Sequence, residues 1–194
     1  MTIVVQKDIE AIVKEVLNRI TESSSAGFEA NNEGDWGVFD RLEDAVSAAR
    51  DAVQSIYKVV TREKVVRIIR RAARANARRL AEMAVDETGM GRIEDKVKKN
   101  LLVAHRTPGP EVLSPNAITG DDGLTLIENA PWGVIASVTP STNPGATIIN
   151  NTISMVSGGN TVIYAVHPNA KRVTLETIRI LNKAIDEEIG RAHV

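Results

Sequence analysis

Residues 128–168 read ENAPWGVIASVTPSTNPGATIINNTISMVSGGNTVIYAVHP. GVIASV, residues 133–138, is a continuous apolar run, the pattern of a strand buried on both faces of a parallel sheet. Thr139-Pro140-Ser141-Thr142-Asn143-Pro144 then forms a short elbow whose prolines fix the backbone at either end. Pro144 suits the first turn of a helix, where the N–H it lacks would be unpaired anyway. The helix ends at Ser157-Gly158-Gly159-Asn160, and Thr161–Val166 supplies a second strand. Strand, elbow, helix and strand make a βαβ unit, so the fold class is α/β.

Small polar residues at the carboxyl end of a strand lie where such sheets bind ligands. Thr142 and Asn143 can donate hydrogen bonds to a phosphate, a ribose or a developing oxyanion. Ser, Thr and Asn also cap helices with no ligand present, and the elbow alone favours neither reading. No GxGxxG or Walker loop occurs in the chain. His167-Pro168-Asn169 follows the second strand on the same side, and a lone histidine there reads first as a structural or capping residue. His105 and His193 are isolated from it, so no metal site is expected.

Toward the N-terminus, AITGDDGLTLIEN (117–129) reads as a hairpin around Gly120-Asp121-Asp122-Gly123, preceded by a turn-rich segment at 107–116. ETGMGRIEDKVKKN (87–100) has a Gly-rich break and then a short helix. A longer helix is expected from Arg62 to about Val85, capped by Thr61, and another after Asp40, whose side chain can cap it. The last helix, Ala170 to about Ile189, has Val173, Leu175, Ile178, Leu181 and Ile185 available to cover the sheet.

Residues 3–20 form a clean amphipathic pattern, with Val5, Ile9, Ile12, Val13, Val16, Leu17 and Ile20 on one helical face. Residues 21–35, rich in Ser, Glu, Asn and Gly, read as a flexible linker. A tethered amphipathic helix must bury its stripe on the body, on a partner or on a membrane surface. The last is disfavoured because acids and bases mix on the polar face.

The chain has 194 residues, 24 Lys+Arg against 25 Asp+Glu, and a net charge of -1, so bulk charge calls for no polyanionic partner. Eight basic residues and one acid lie between Arg62 and Arg79, with Arg67, Arg70, Arg71, Arg74 and Arg78 on one side. Without interleaved aromatics or a nucleic-acid-binding motif, that face reads as solvated or paired with acids, not as a nucleic-acid surface. No apolar run approaches the roughly 20 residues that span a bilayer. The chain contains no cysteine, which excludes disulfides, thiolate metal sites and cysteine nucleophiles within these residues.

ETGMGRIEDKVKKN, the TPG loop, ITGDDGLTLIENAPWGVIASVTPSTNP, the IINNTISM helix and SGGNTVIYAVHPNAK occur in that order. Together they resemble the CoA-acylating aldehyde dehydrogenases of bacterial microcompartments, over residues 36–189. The resemblance implies an aldehyde dehydrogenase-like fold: helices and a hairpin leading into an incomplete Rossmann-like parallel sheet. It also implies NAD-dependent oxidation of a short-chain aldehyde to its acyl-CoA, with NAD and coenzyme A as cofactor and co-substrate. In that chemistry the aldehyde adds to a cysteine thiolate, hydride passes to NAD+, and CoA takes the acyl group.

Carried over by position, Thr142 takes the place of the oxyanion-hole Asn of ordinary aldehyde dehydrogenases, and Asn143 the place of the following Phe. The usual ribose-binding Lys falls at Ala165 and the usual Glu at Pro168, so NAD is expected to be held differently. Val138, Thr139, Pro140, Ser141, Ala165, His167 and Pro168 would line a pocket that CoA also visits. The resemblance makes residues 3–20 an encapsulation peptide for shell or core proteins, implying a bacterial cytoplasmic enzyme inside a microcompartment. It further implies a homo-oligomer. Residues 191–194 do not match the family's continuation, and the chain is expected to be a truncated portion, inactive alone. The rival reading is a non-catalytic microcompartment module that acts through the N-terminal helix.

Overall fold

The structure, a computed structural model, describes residues 35–190. The amphipathic segment 3–20, nearly all of the 21–35 linker and the 191–194 tail lie outside the described residues. Four helices come first: α1 (Leu42–Ser55), α2 (Val59–Ala75), α3 (Ala77–Thr88) and α4 (Ile93–Arg106). A hairpin follows, β1 (Asn116–Gly120) antiparallel to β2 (Gly123–Ile127). The βαβ unit is β3 (Val134–Val138), α5 (Pro144–Ser157) and β4 (Thr161–Ala165), and α6 (Lys171–Ile189) closes the body. Its two strands are parallel, with Val134 opposite Thr161 and Val138 opposite Ala165.

The elbow, the hairpin and α5 fall where the residues placed them, and Pro144 opens α5. Three expectations need correction. The single helix expected from Arg62 to Val85 is two, broken at Asn76. The Asn76 side chain donates to the Ala72 carbonyl at 2.9 Å, with its own N–H on the same oxygen at 3.1 Å. A short amide side chain that shares a carbonyl with the backbone in this way destabilises and bends a helix. Neither expected cap acts: α1 starts after Arg41 and α2 after Lys58, both without a side-chain cap, while Glu43 and Asp44 complement the helix dipole in the first turn of α1.

The third correction concerns β3, which is not buried on both faces. Ala136 and Val138, on one face of the strand, are exposed, and β4 is its only strand partner among the described residues. Helices α1 and α5 pack on opposite faces of the pair, α1 covering its face only in part. The Thr161 hydroxyl donates to the Ala49 carbonyl on α1 at 2.9 Å, whereas Tyr164 reaches α5. Residues an odd number apart along a strand point to opposite faces. The Thr152 hydroxyl lies 2.7 Å from the Ile148 carbonyl, and the Thr152 and Tyr164 hydroxyls are hydrogen-bonded to one another at 2.8 Å. Burial of that phenol pushes its pKa up.

The core lies mainly among the helices. Ile68 and Ile69 of α2, Leu80 of α3, Ile148, Ile149 and Ile153 of α5, and Val173, Leu181 and Ile185 of α6 form one buried cluster. Helix α6 therefore covers the sheet only in part. Its Leu175 and Ile178 approach β4, and its most buried residues pack into the helical core. Its amino end is held from α3, where the Glu87 carboxylate accepts from the Arg172 N–H at 2.7 Å and the Val173 N–H at 2.8 Å. That carboxylate satisfies two of the donors a helix start leaves open.

The arginine side of α2 and α3 is largely paired with acids. Arg70 bonds Glu111, Arg71 meets Glu188, Arg78 bonds Glu94 at 2.9 Å and Arg79 bonds Glu176. Arginines paired in this way are poorly placed to neutralise a phosphate backbone. No helix among the described residues is long and apolar enough to cross a membrane.

Candidate functional site

The parallel pairing sets Val138 beside Ala165, so the residues after each strand emerge together at the carboxyl end of the pair. Thr139 closes the seam. Its N–H and its hydroxyl both donate to the Ala165 carbonyl, at 3.1 and 3.2 Å, and the residue is buried. The chain then turns through exposed Pro140, half-buried Ser141 and exposed Thr142 to half-buried Asn143. On the β4 side, exposed Ala165 is followed by half-buried His167 and exposed Pro168. The expected residues on the two strands thus gather at one rim.

Each has a definite place there. Val138 is 85% exposed and, with Ala165 and Pro168, gives the rim an apolar ledge. No carboxylate stands among the rim residues 138–143 and 165–168. His167 is a cap: its Nδ1 accepts from the Asn169 N–H at 3.1 Å and opens the short turn Pro168–Ala170. Among the described residues no cluster of three His, Cys, Asp or Glu could hold a metal.

Asn143 occupies the N-cap position of α5, yet its side chain does not cap the helix. The Asn143 Oδ1 instead accepts from Lys99 at 3.0 Å. Lys96, one helical turn earlier on α4, donates to the Thr142 carbonyl at 2.8 Å. Burial, with the like charge of Lys99 second, holds the Lys96 ammonium below the ordinary lysine value. The two lysines grip successive elbow residues beside an open cleft of about 570 Å³, lined also by Met90, Gly91, Arg92, Asp95 and Lys98.

Sequence reasoning missed this clamp. The signal was present: Lys96, Asn100 and Ala104 recur every fourth residue, so a lysine falls on the buried stripe of α4. A second polar chain also went unread. Thr107 donates to Asn150 at 2.9 Å, Asn150 to Asn151 at 3.1 Å, and Asn151 to the buried Ser137 at 3.0 Å, linking the end of α4 through α5 to β3.

A parallel βαβ unit with a proline-framed elbow, fed by four helices and a hairpin, defines the class. The chain belongs to the aldehyde dehydrogenase family, whose profile matches residues 10–189. It is 56% identical to an acetylating acetaldehyde dehydrogenase of Bilophila wadsworthia, over 97% of this chain and 40% of that protein. Among solved structures it resembles a propionaldehyde dehydrogenase from the fucose-utilisation microcompartment of Clostridium phytofermentans, in its C269A form. There the TM-score is 0.74 at 45% identity, over 76% of this chain and 35% of the other. A propionaldehyde dehydrogenase of Rhodopseudomonas palustris, solved with CoA and an acylated cysteine, gives a TM-score of 0.75 at 40% identity. That match covers 78% of this chain and 36% of the other. The chain thus spans about 40% of the length of the acetaldehyde dehydrogenase it matches.

Proposed function

We propose that this chain is the elbow-bearing part of an NAD-dependent CoA-acylating aldehyde dehydrogenase that converts a short-chain aldehyde to its acyl-CoA. The observation that carries the reading is the elbow itself. Thr142 and Asn143 sit where β3 meets α5, clamped from α4, beside an apolar rim suited to a purine. Names of the relatives support the reaction class: one acetylates from acetaldehyde, and another was solved with CoA and an acylated cysteine.

Each rim residue then has a role. Val138, Pro140, Ala165 and Pro168 would receive the adenine of NAD, and of CoA in its turn, by apolar contact. Thr139 holds the two strand ends together beneath it, Ser141 offers a hydroxyl, and His167 shapes the β4 side through its cap. Bound NAD+ supplies the hydride acceptor. Thr142 and Asn143 present donors to the aldehyde oxygen, which gains negative charge when a thiolate attacks.

No cysteine lies within these residues, so the thiolate must come from outside them. Purified chain mixed with acetaldehyde or propionaldehyde, CoA and NAD+ is expected to form no NADH above a blank. The same segment joined to a cysteine-bearing remainder is expected to form NADH and thioester together. NADH from the isolated chain, or a joined enzyme that makes NADH but no thioester, would refute the reading.

Residues 3–20 serve in this proposal as an encapsulation peptide that binds microcompartment shell or core proteins, inside a bacterial cytoplasm. The apolar stripe supports it, since a tethered helix needs a groove to bury such a face. Fused to an unrelated cargo, residues 1–20 are expected to recruit it to microcompartments, and the Ile12→Glu, Val16→Glu pair to abolish recruitment. Recruitment that survives the pair sinks the groove-binding account. The joined enzyme is proposed to be a homo-oligomer, in which the exposed apolar hairpin residues Ile118, Leu124 and Leu126 would be covered. A joined enzyme that sediments as a monomer refutes that part.

A further inference from the structure

We propose that Lys96 is a positioning residue of the elbow: its grip on the Thr142 carbonyl turns the Asn143 N–H away from α4, as a donor to the oxyanion of the reacting aldehyde. The proposal rests on the acylating reading above.

Four observations meet at this point. Lys96 is only 8% exposed, on the buried stripe of α4, and no carboxylate pairs with it among the described residues. A desolvated ammonium is costly unless bound, and the acceptor given to it is one main-chain oxygen at 2.8 Å. The chain has no cis peptide among the described residues, so the Thr142–Asn143 unit is trans and planar. In such a unit the C=O and the following N–H point in opposite directions. Fixing the Thr142 oxygen toward Lys96 therefore aims the Asn143 N–H the other way.

That N–H is uncommitted. No hydrogen bond among the described residues uses it, Asn143 stands outside the helix at φ -140°, and Pro144 after it has no N–H. The Asn143 side chain is held by Lys99 and so cannot fold back over its own amide. When a cysteine thiolate from the remainder of the enzyme forms its C–S bond, the C=O π pair moves onto the aldehyde oxygen. A donor aimed there holds that charge until hydride leaves for NAD+ and the C=O re-forms as a thioester. Lys96 touches none of the reacting atoms and acts through the peptide plane.

The test uses full-length enzyme that carries this segment. Lys96→Met is expected to lower kcat for acyl-CoA formation about 100-fold, with the aldehyde KM changed by less than about threefold. Lys96→Arg, which keeps a donor for the carbonyl, is expected to recover kcat to within about tenfold of wild type. A Lys96→Met enzyme that keeps kcat within about threefold of wild type overturns the proposal, as does an Arg variant no better than Met. Wild-type enzyme without acylating turnover would instead refute the function reading. Should Lys96→Met fail to fold, amide exchange in the unsubstituted 194-residue chain decides. An Asn143 N–H that exchanges as an unprotected amide supports the proposal, and a protected one overturns it.

Discussion

Asn160→Ala is expected to lower the stability of the chain by about 2–3 kcal/mol, read as a lower denaturation midpoint at unchanged slope. One carboxamide joins three elements here. Its Oδ1 accepts from the Trp132 N–H at 2.6 Å and the Gly133 N–H at 3.0 Å, just ahead of β3. Its Nδ2 donates to the Met155 carbonyl of α5 at 3.3 Å, and the residue itself opens onto β4. Asn160 is buried, and alanine leaves two main-chain donors without their protein acceptor. Each orphaned donor costs about 1–3 kcal/mol, discounted here because Trp132 is largely exposed. Asn160→Asp keeps the acceptor for both N–H groups but sets a buried carboxylate oxygen against the Met155 carbonyl, so it should recover only part of the loss. A change below about 0.5 kcal/mol for alanine would mean that water replaces the amide.

The same residue shows why the βαβ unit was legible. Gly158-Gly159-Asn160 was read as punctuation, and the turn it marks is real because each member has a backbone or side-chain task. Gly159 adopts a φ of +81°, which a side chain disfavours. Pro144 was equally direct, since proline at a helix start costs no hydrogen bond. Such local rules survive folding because tertiary contacts do not have to supply them.

The features that misled are those where a tertiary or side-chain contact overrode a local pattern. Nothing in RRAARANARRLAEM announces a break, since asparagine lowers helix propensity by only about 0.7 kcal/mol relative to alanine. Its bond back to Ala72 decides the matter, and that is a rotamer choice. The apolar run of β3 signalled a strand covered on both faces, but Ala136 and Val138 stand exposed on one of them. Lys96 was hidden for a third reason. In EDKVKKN a lysine looks solvated, and only the packing of α4 against α5 brings its ammonium to the elbow. Residue type placed the candidate site at the elbow; the orientation of its donors depends on a helix more than forty residues upstream.

Arg62→Met is expected to cost about 2–3 kcal/mol, the second large effect, because one guanidinium fastens the helical layer to the βαβ unit. Its Nε donates to the Ile56 carbonyl at 2.9 Å and its Nη2 to the Tyr57 carbonyl at 2.6 Å, closing the corner between α1 and α2. Its Nη1 reaches the Ser157 carbonyl, at the carboxyl end of α5, at 3.4 Å. That end carries the negative pole of the helix, so a cation there is favourable beyond the bond itself. Methionine keeps the apolar stem and removes all the donors, isolating the polar contribution from packing. Gly159 stands against the same group: a Cβ built there would lie 3.0 Å from the guanidinium carbon. Gly159→Ala should therefore cost both backbone strain and crowding in the native chain, and strain alone once Arg62 is methionine. The double variant is expected to lose about 0.5–1 kcal/mol less than the two single losses added together. Strict additivity would mean that arginine and glycine act separately, and that the guanidinium does not require a glycine at the turn into β4.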